Sequence, residues 1–308
     1  MADIARGEGR ECNAKASASP ESLDTRNRLR LRGGFAASDY PPMAERALIA
    51  ALIAALVTAL ARRFDMLDES GQWGAFACGI AAAVAGWPWA ILLVLYFVAA
   101  SGVTALGAAR KAERTQRSVP QVHARDAMQV LANGAVFSLL AVKAGAHHES
   151  VWAIGAVGAL AAASADTWAT EIGTLWGGAP RSVLTFRAMT TGMSGGITGT
   201  GSLAAVAGAV LVAALALMLH DIGNTQRIFL AAAGGGVAGA FADSVLGAAV
   251  QARRWCEHCK EWTERRVHPC SYRTVHAAGA RWVTNDVVNF AATVVGAGAA
   301  VGIGLLLR

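Results

Sequence analysis

The chain has 308 residues, 55% of them hydrophobic and 16% charged, with a mean hydropathy of +0.41 and a net charge of +6. Such a balance excludes an ordinary water-soluble domain and makes hydrocarbon the solvent for most of the chain. The basic excess suits loops lying beside anionic lipid, so membrane lipids are the expected surroundings and no nucleic acid is expected as a partner.

Residues 1–42 are polar and carry both charge signs, including RNRLRLR at 26–32. They have neither the apolar run nor the small-residue cleavage site of a secretory signal. They read as a disordered or non-native tail, because Met43 directly precedes the first apolar window. From there to residue 308 the chain reads as one integral membrane domain.

A helix needs roughly 20 mainly apolar residues to cross a hydrocarbon core of about 30 Å. Windows of that kind lie near 44–61, 71–86, 88–109, 128–142, 151–169, 196–219, 228–250 and 285–307. The expected fold is therefore all-α, a polytopic helical membrane bundle of about 7–8 transmembrane helices. Abundant Gly, Ala and Ser suit close helix packing in lipid.

Lys and Arg number 2, 5, 2 and 7 in segments 62–70, 110–127, 170–195 and 251–284, against 0, 1 and 1 at 87, 143–150 and 220–227. The positive-inside rule puts the first set in the cytoplasm, and the expected location is the cell's inner, cytoplasmic membrane. The basic tail then falls outside if 44–61 spans, which leaves the orientation of the N-terminus open.

Four polar groups interrupt the apolar windows. In RDAMQVLANG at 125–134, Asp126, Gln129 and Asn133 share a helical face. In ASADTWATEIG, Asp166 and Glu171 stand where the span near 151–169 is expected to end. Unpaired carboxylates in hydrocarbon are costly, so they call for a cation, a donor or water. The pattern Ala-x-Ala-Asp-Ser/Thr recurs, at 163–167 with Asp166 and at 240–244 with Asp243. Such recurrence is a sign of repeated halves that build a site at their interface. In RWVTNDVVNF, Asn285, Asp286 and Asn289 face one direction, an oxygen-only set suited to Mg²⁺ held together with phosphates. Each group alone could cap a helix or bond across the bundle; together they suggest one acidic site.

Between the second and third groups lies TFRAMTTGMSGGITGTGS at 185–202, where Ser194, Gly195 and Gly196 could offer backbone N–H groups to a phosphate at a helix start. Nearby Arg181 and Arg187 suit phosphate oxygens. In the basic loop at 251–284, Cys256, Cys259, His268 and Cys270 could supply three sulfurs and one imidazole to a structural Zn²⁺, or remain reduced thiols. Three of the chain's five cysteines in one basic loop point to a reducing, cytoplasmic-side setting.

QVLANG, ASADTWATEIG, TTGMSGGITGTGS, ADSVLGAAVQ with the C-x2-C loop, and W-x2-ND-x2-N occur in this order over residues 44–308. The set resembles the membrane family that contains plant phytyl-phosphate kinase and animal transmembrane protein 19. The resemblance implies a membrane kinase passing a phosphoryl group from a nucleoside triphosphate, CTP above all, to an isoprenoid lipid monophosphate such as a prenyl or phytyl phosphate. Within that resemblance Asp166, Asp243 and Asp286 would hold Mg²⁺, with Glu171, Asn285 and Asn289 completing the site. Asp126 and Asn133 would be further ligands or head-group contacts, and Arg181 and Arg187 would neutralise phosphates. The active site would face the cytoplasm. A CTP-dependent nucleotidyltransferase making a CDP-lipid, and an ion or solute transporter with intramembrane carboxylates, remain alternatives at this level.

Overall fold

The computed structural model describes residues 43–119, 124–147, 150–219, 222 and 226–307. The tail expected over 1–42 lies outside the described residues. The first helices are α1 (Met43–Arg63), α2 (Glu69–Ala85) and α3 (Trp87–Ala105), followed by a short α4 (Ala108–Thr115). Then come α5 (Ala127–His147), α6 (Ser150–Trp176), α7 (Gly199–Met218), α8 (Gln226–Ala249) and α9 (Asn285–Leu306). Six of them, α3 and α5 to α9, are long and apolar enough to cross a membrane. The protein is thus the polytopic helical membrane bundle that its composition implies.

Local chemistry sets the boundaries. Asp68 caps α2 by accepting from the Gly71 amide at 2.7 Å. Gly86, with φ of 143°, and Pro88 in the first turn of α3 make the sharp joint between α2 and α3. The span expected over 88–109 instead stops at Ala105, because Gly107 adopts a left-handed φ of 61° and redirects the chain into α4. A separate amphipathic helix over 108–115 was not expected from the hydropathy, which registers only apolar length.

Helix α6 is the axis of the bundle and packs against α5, α7, α8 and α9. Every residue from Ala153 to Ala165 is buried. Small residues let these helices touch: a Cβ at Gly235 would stand 2.6 Å from the Gly296 carbonyl oxygen, and one at Gly158 would stand 2.9 Å from the same atom. At the far side of α6, Trp89 packs against Phe137 with ring centroids 6.0 Å apart. On α1, by contrast, Leu48, Leu52, Leu56 and Leu60 are exposed at every fourth position, a stripe suited to lipid.

The loops at 170–195 and 251–284 are more ordered than their composition suggests. Strands β1 (Arg181–Ser182) and β2 (Gly196–Ile197) form an antiparallel pair. Strands β3 (Arg253–Cys256), β4 (Glu261–Thr263) and β5 (Val275–Ala278) form an antiparallel sheet in the order β4-β3-β5. Its cross-strand Trp255 and Trp262 meet edge to face, with centroids 5.2 Å apart.

Candidate functional site

A cavity of about 1600 Å³ is lined by the C-terminal ends of α3, α6 and α8, the N-terminal turns of α5, α7 and α9, and α4. In an up-and-down bundle these lie at one end. Residues from all four Lys/Arg-rich segments reach it, among them Asp65, Lys111, Pro180 and Arg281.

Asp166, Asp243 and Asp286 all line this cavity, each from a different membrane-spanning helix. The two carboxyls of the recurring Ala-x-Ala-Asp pattern, Asp166 and Asp243, come within hydrogen-bonding reach of one another. With its nitrogen turned toward Asp243, the Asn289 amide donates to Asp243 Oδ2 at 2.9 Å and to the Asn285 carbonyl oxygen at 3.2 Å. Among the described residues no ion pair reaches Asp166, Asp243 or Asp286. Adjoining carboxylates in a low-dielectric bundle repel unless a cation or a proton lies between them. Their donor set is all oxygen, which fits a hard cation such as Mg²⁺ better than a thiophilic metal.

Helix α6 does not end near 169 as hydropathy suggests but continues to Trp176. Asp166 therefore lies about 15 Å from the helix's C-terminus at 1.5 Å per residue, inside the bundle rather than at its boundary. The cause is compensation. Lys111 of α4, itself buried, pairs with Glu171 and also donates to the carbonyls of Val103 and Thr104. Glu171, expected near the metal, lines the same cavity, but its carboxylate pairs with the Lys111 ammonium and ties α4 to α6.

Other expected residues divide. Asp126 does not line the cavity; its Oδ1 accepts from the Gln129 amide at 2.9 Å and caps α5. Asn133 donates to the Gln129 carbonyl at 2.9 Å and lines a separate apolar cavity of about 120 Å³ between α1, α2, α3 and α5. Arg181 in β1 and Arg187 beyond the turn that follows it are exposed, Arg181 Nη1 donates to the Phe186 carbonyl at 3.0 Å, and neither lines either cavity. The basic residues that do line the large cavity are Lys111, Arg125, Arg254, Arg266 and Arg281. Arg125 stands between the two cavities and lines both, its guanidinium donating to Ser101 and Thr104 and lying 5.6 Å from the Phe97 ring centroid.

Ser194, Gly195 and Gly196 line the cavity as a turn. Gly195 has φ of 83°, and a Cβ there would meet the Ala248 backbone at 2.6 Å, so the turn seats directly on α8. The Ser194 amide is taken: it donates to Glu264 Oε1 at 3.0 Å. Burial pushes the Glu264 carboxyl above its ordinary range, while hydrogen bonds from Ser194 and the charge of Arg253 oppose that shift. Glu264, Arg125 and Lys111 escaped sequence reading because no spacing rule links positions separated by more than 20 residues, and the partners of Lys111 and Glu264 include residues 60 and 70 positions away. The amphipathic RKAERT stretch was the available signal for Lys111.

The residues matched by a family model run from 52 to 297 and so include the acidic cluster, the Ser-Gly turn and the three-stranded sheet. The chain belongs to the integral membrane protein DUF92 family. It is 32% identical over 210 residues to the uncharacterized membrane protein MJ0933 of Methanocaldococcus jannaschii, covering 66% of this chain and 82% of that one. It is 30% identical over 213 residues to Protein PGR of Arabidopsis thaliana, covering 62% of this chain and 74% of the relative. No solved structure matches. The family is the one that the sequence motifs resemble.

Proposed function

We propose that this DUF92 protein is a membrane phosphotransferase that extends a lipid monophosphate, of the isoprenoid class, to the diphosphate at the expense of a nucleoside triphosphate, CTP being the favoured donor. The observation that carries the reading is the convergence of three uncompensated carboxylates from three spans in a cavity that also holds five basic side chains. Phosphoryl transfer needs positioning and charge neutralisation more than covalent chemistry, and this is the required inventory.

Mg²⁺ held by Asp166, Asp243 and Asp286 would supply charge neutralisation on the transferred group. Asn289 fixes the rotamer of Asp243, and Asn285 anchors Asn289 in turn. Arg125, which lines both the polar and the apolar cavity, would hold the lipid head group at their junction. An oxygen of the lipid phosphate forms a bond to the γ-phosphorus while the bond from that phosphorus to the β–γ bridging oxygen breaks. The nucleoside diphosphate leaves with the electron pair. No general base is required, because a phosphate monoester with a second pKa near 6 is already ionised at neutral pH. The excess of Lys and Arg in the loops at this end supports a cytoplasmic orientation, in which the cavity would open toward the nucleotide pool.

The test is mass spectrometry of lipids after incubating the full chain in detergent with Mg²⁺, CTP and prenyl monophosphates, beside Asp166→Asn. A prenyl diphosphate with CDP, absent from the variant, is the expected result. A CMP-bearing lipid with pyrophosphate would replace the kinase by a nucleotidyltransferase, and unchanged lipid with every nucleotide would remove the enzyme reading altogether.

A further inference from the structure

Cys256, Cys259, His268 and Cys270 place one ligand atom each within 4.8 Å of one another. The four come from two tight turns of the three-stranded sheet. In the first, between β3 and β4, the Cys259 amide points at Cys256 Sγ at 3.5 Å, and the Lys260 amide donates to the Cys256 carbonyl at 2.9 Å with Lys260 in the left-handed region at φ of 57°. In the second, the Ser271 amide donates to the His268 carbonyl at 2.8 Å, with Ser271 at φ of 70°. Both turns spend unfavourable backbone conformations to point sulfur and nitrogen at one spot.

The separations are those of one tetrahedral ion. Zn–S bonds of about 2.3 Å set tetrahedral sulfur edges near 3.8 Å, and Cys256 Sγ lies 3.6 Å from Cys270 Sγ. His268 is 2% exposed, with Nδ1 3.1 Å from Cys270 Sγ. Its other nitrogen, Nε2, is buried without a hydrogen-bond partner and stands 3.5 Å from Glu261 Oε2. A metal-bound histidine ordinarily presents its second N–H to such a carboxylate, which fixes the tautomer. Glu261 is held in turn by Arg117, whose Nε donates at 2.9 Å.

We propose that Cys256, Cys259, Cys270 and His268 Nδ1 bind one Zn²⁺, and that this ion is the staple that holds the wall of the large cavity in place. Two chains of contacts lead from it to the cavity. Through His268, Glu261 and Arg117 it reaches the segment that follows α4, the helix bearing Lys111. Along β4 it reaches Thr263, whose hydroxyl donates to the Ser118 carbonyl at 3.0 Å, and Glu264, whose amide donates to that same carbonyl at 2.7 Å. Glu264 then holds the Ser194 amide of the Ser-Gly turn. Without the ion, two strained turns and three converging thiol groups lose what keeps β4 in register, and Glu264 loses its support. Because all four coordination positions are filled by protein, the ion is structural and takes no part in bond making. The proposal stands whether or not the cavity transfers phosphate.

The test uses the full chain purified in detergent under reducing conditions, with metal content measured by elemental mass spectrometry. About one zinc per chain is expected, retained by His258→Ala, whose ring stacks on Tyr272 and whose Nδ1, 3.7 Å from Cys259 Sγ, is not one of the four ligand atoms. Cys259→Ser and His268→Ala are expected to lose it, and Glu261→Gln to weaken zinc affinity about 10–100-fold. Replacing zinc by Co²⁺ in the unaltered chain should give the charge-transfer absorption of cobalt thiolates, a readout that does not depend on any variant folding. Stripping the metal should speed hydrogen exchange in peptides containing Ser194 and residues 116–119, with peptides of α5 and α9 unchanged. A chain that binds neither zinc nor cobalt, or that keeps zinc after loss of both Cys256 and Cys270, would overturn the site. Unchanged exchange at Ser194 after metal removal would overturn the staple.

Discussion

Lys111 is the most informative residue to perturb, because its three ammonium donors are all spent inside the protein, on Glu171 and the carbonyls of Val103 and Thr104. Lys111→Met keeps the aliphatic stem and removes only the charge and the hydrogen bonds. Breaking a fully buried ion pair by deleting one partner costs about 3–5 kcal/mol. The Glu171 side chain retains 21% exposure against 8% for Lys111, so water partly rehydrates the orphaned carboxylate. The expected cost is therefore below that range, about 2–3 kcal/mol, of which the two abandoned carbonyls account for part. For a chain of this size roughly 2–4 °C of melting temperature accompanies each kcal/mol, so thermal unfolding in detergent should fall by about 4–12 °C. Adding Glu171→Gln should recover part of the loss, since the unpaired charge disappears, giving a coupling energy above about 1 kcal/mol in a double-mutant cycle. A Lys111→Met variant that melts within about 1 °C of the parent, or two substitutions whose effects simply add, would refute the claim that this pair holds α4 against α6.

Two further outcomes follow from where the charges lie. Arg125→Ala should raise the KM for lipid phosphate at least tenfold, about 1.4 kcal/mol, whereas Arg181→Ala and Arg187→Ala should leave it within about twofold, because both guanidinium groups lie outside the cavity; steady-state kinetics with each variant distinguishes the two cases. Glu264 contributes one part of the pH dependence. Its carboxyl is raised above its ordinary 4.5 by burial, so the folded state holds this proton more tightly than the unfolded chain does. The associated stability is fully present below pH 4.5 and is lost as pH rises through the raised value. Glu264→Gln should flatten that part of the pH–stability curve, and a curve of unchanged slope would show that Glu264 does not titrate in this window.

Hydropathy alone determined that this is a helical membrane protein and located its long helices, α6 excepted, to within about five residues, because the cost of exposing backbone and charge to hydrocarbon acts on every residue locally. The recurrence of Ala-x-Ala-Asp likewise singled out Asp166 and Asp243, and the structure brings their carboxyls together. Spacing of Cys and His within 15 residues was readable for the same reason: short loops limit where the ligands can go. What hydropathy misjudged were places where a partner far along the chain changes the cost of a charge. Helix α6 runs on past Glu171 because Lys111 neutralises it from 60 residues away. Arg181 and Arg187 are near the Ser-Gly segment in sequence yet do not line the cavity, while Arg125 and Glu264 are distant in sequence and line it. Sequence registers the local solvent preference of each segment; only the packed bundle decides which charge meets which, since that depends on helix order and rotation about axes that no single segment specifies.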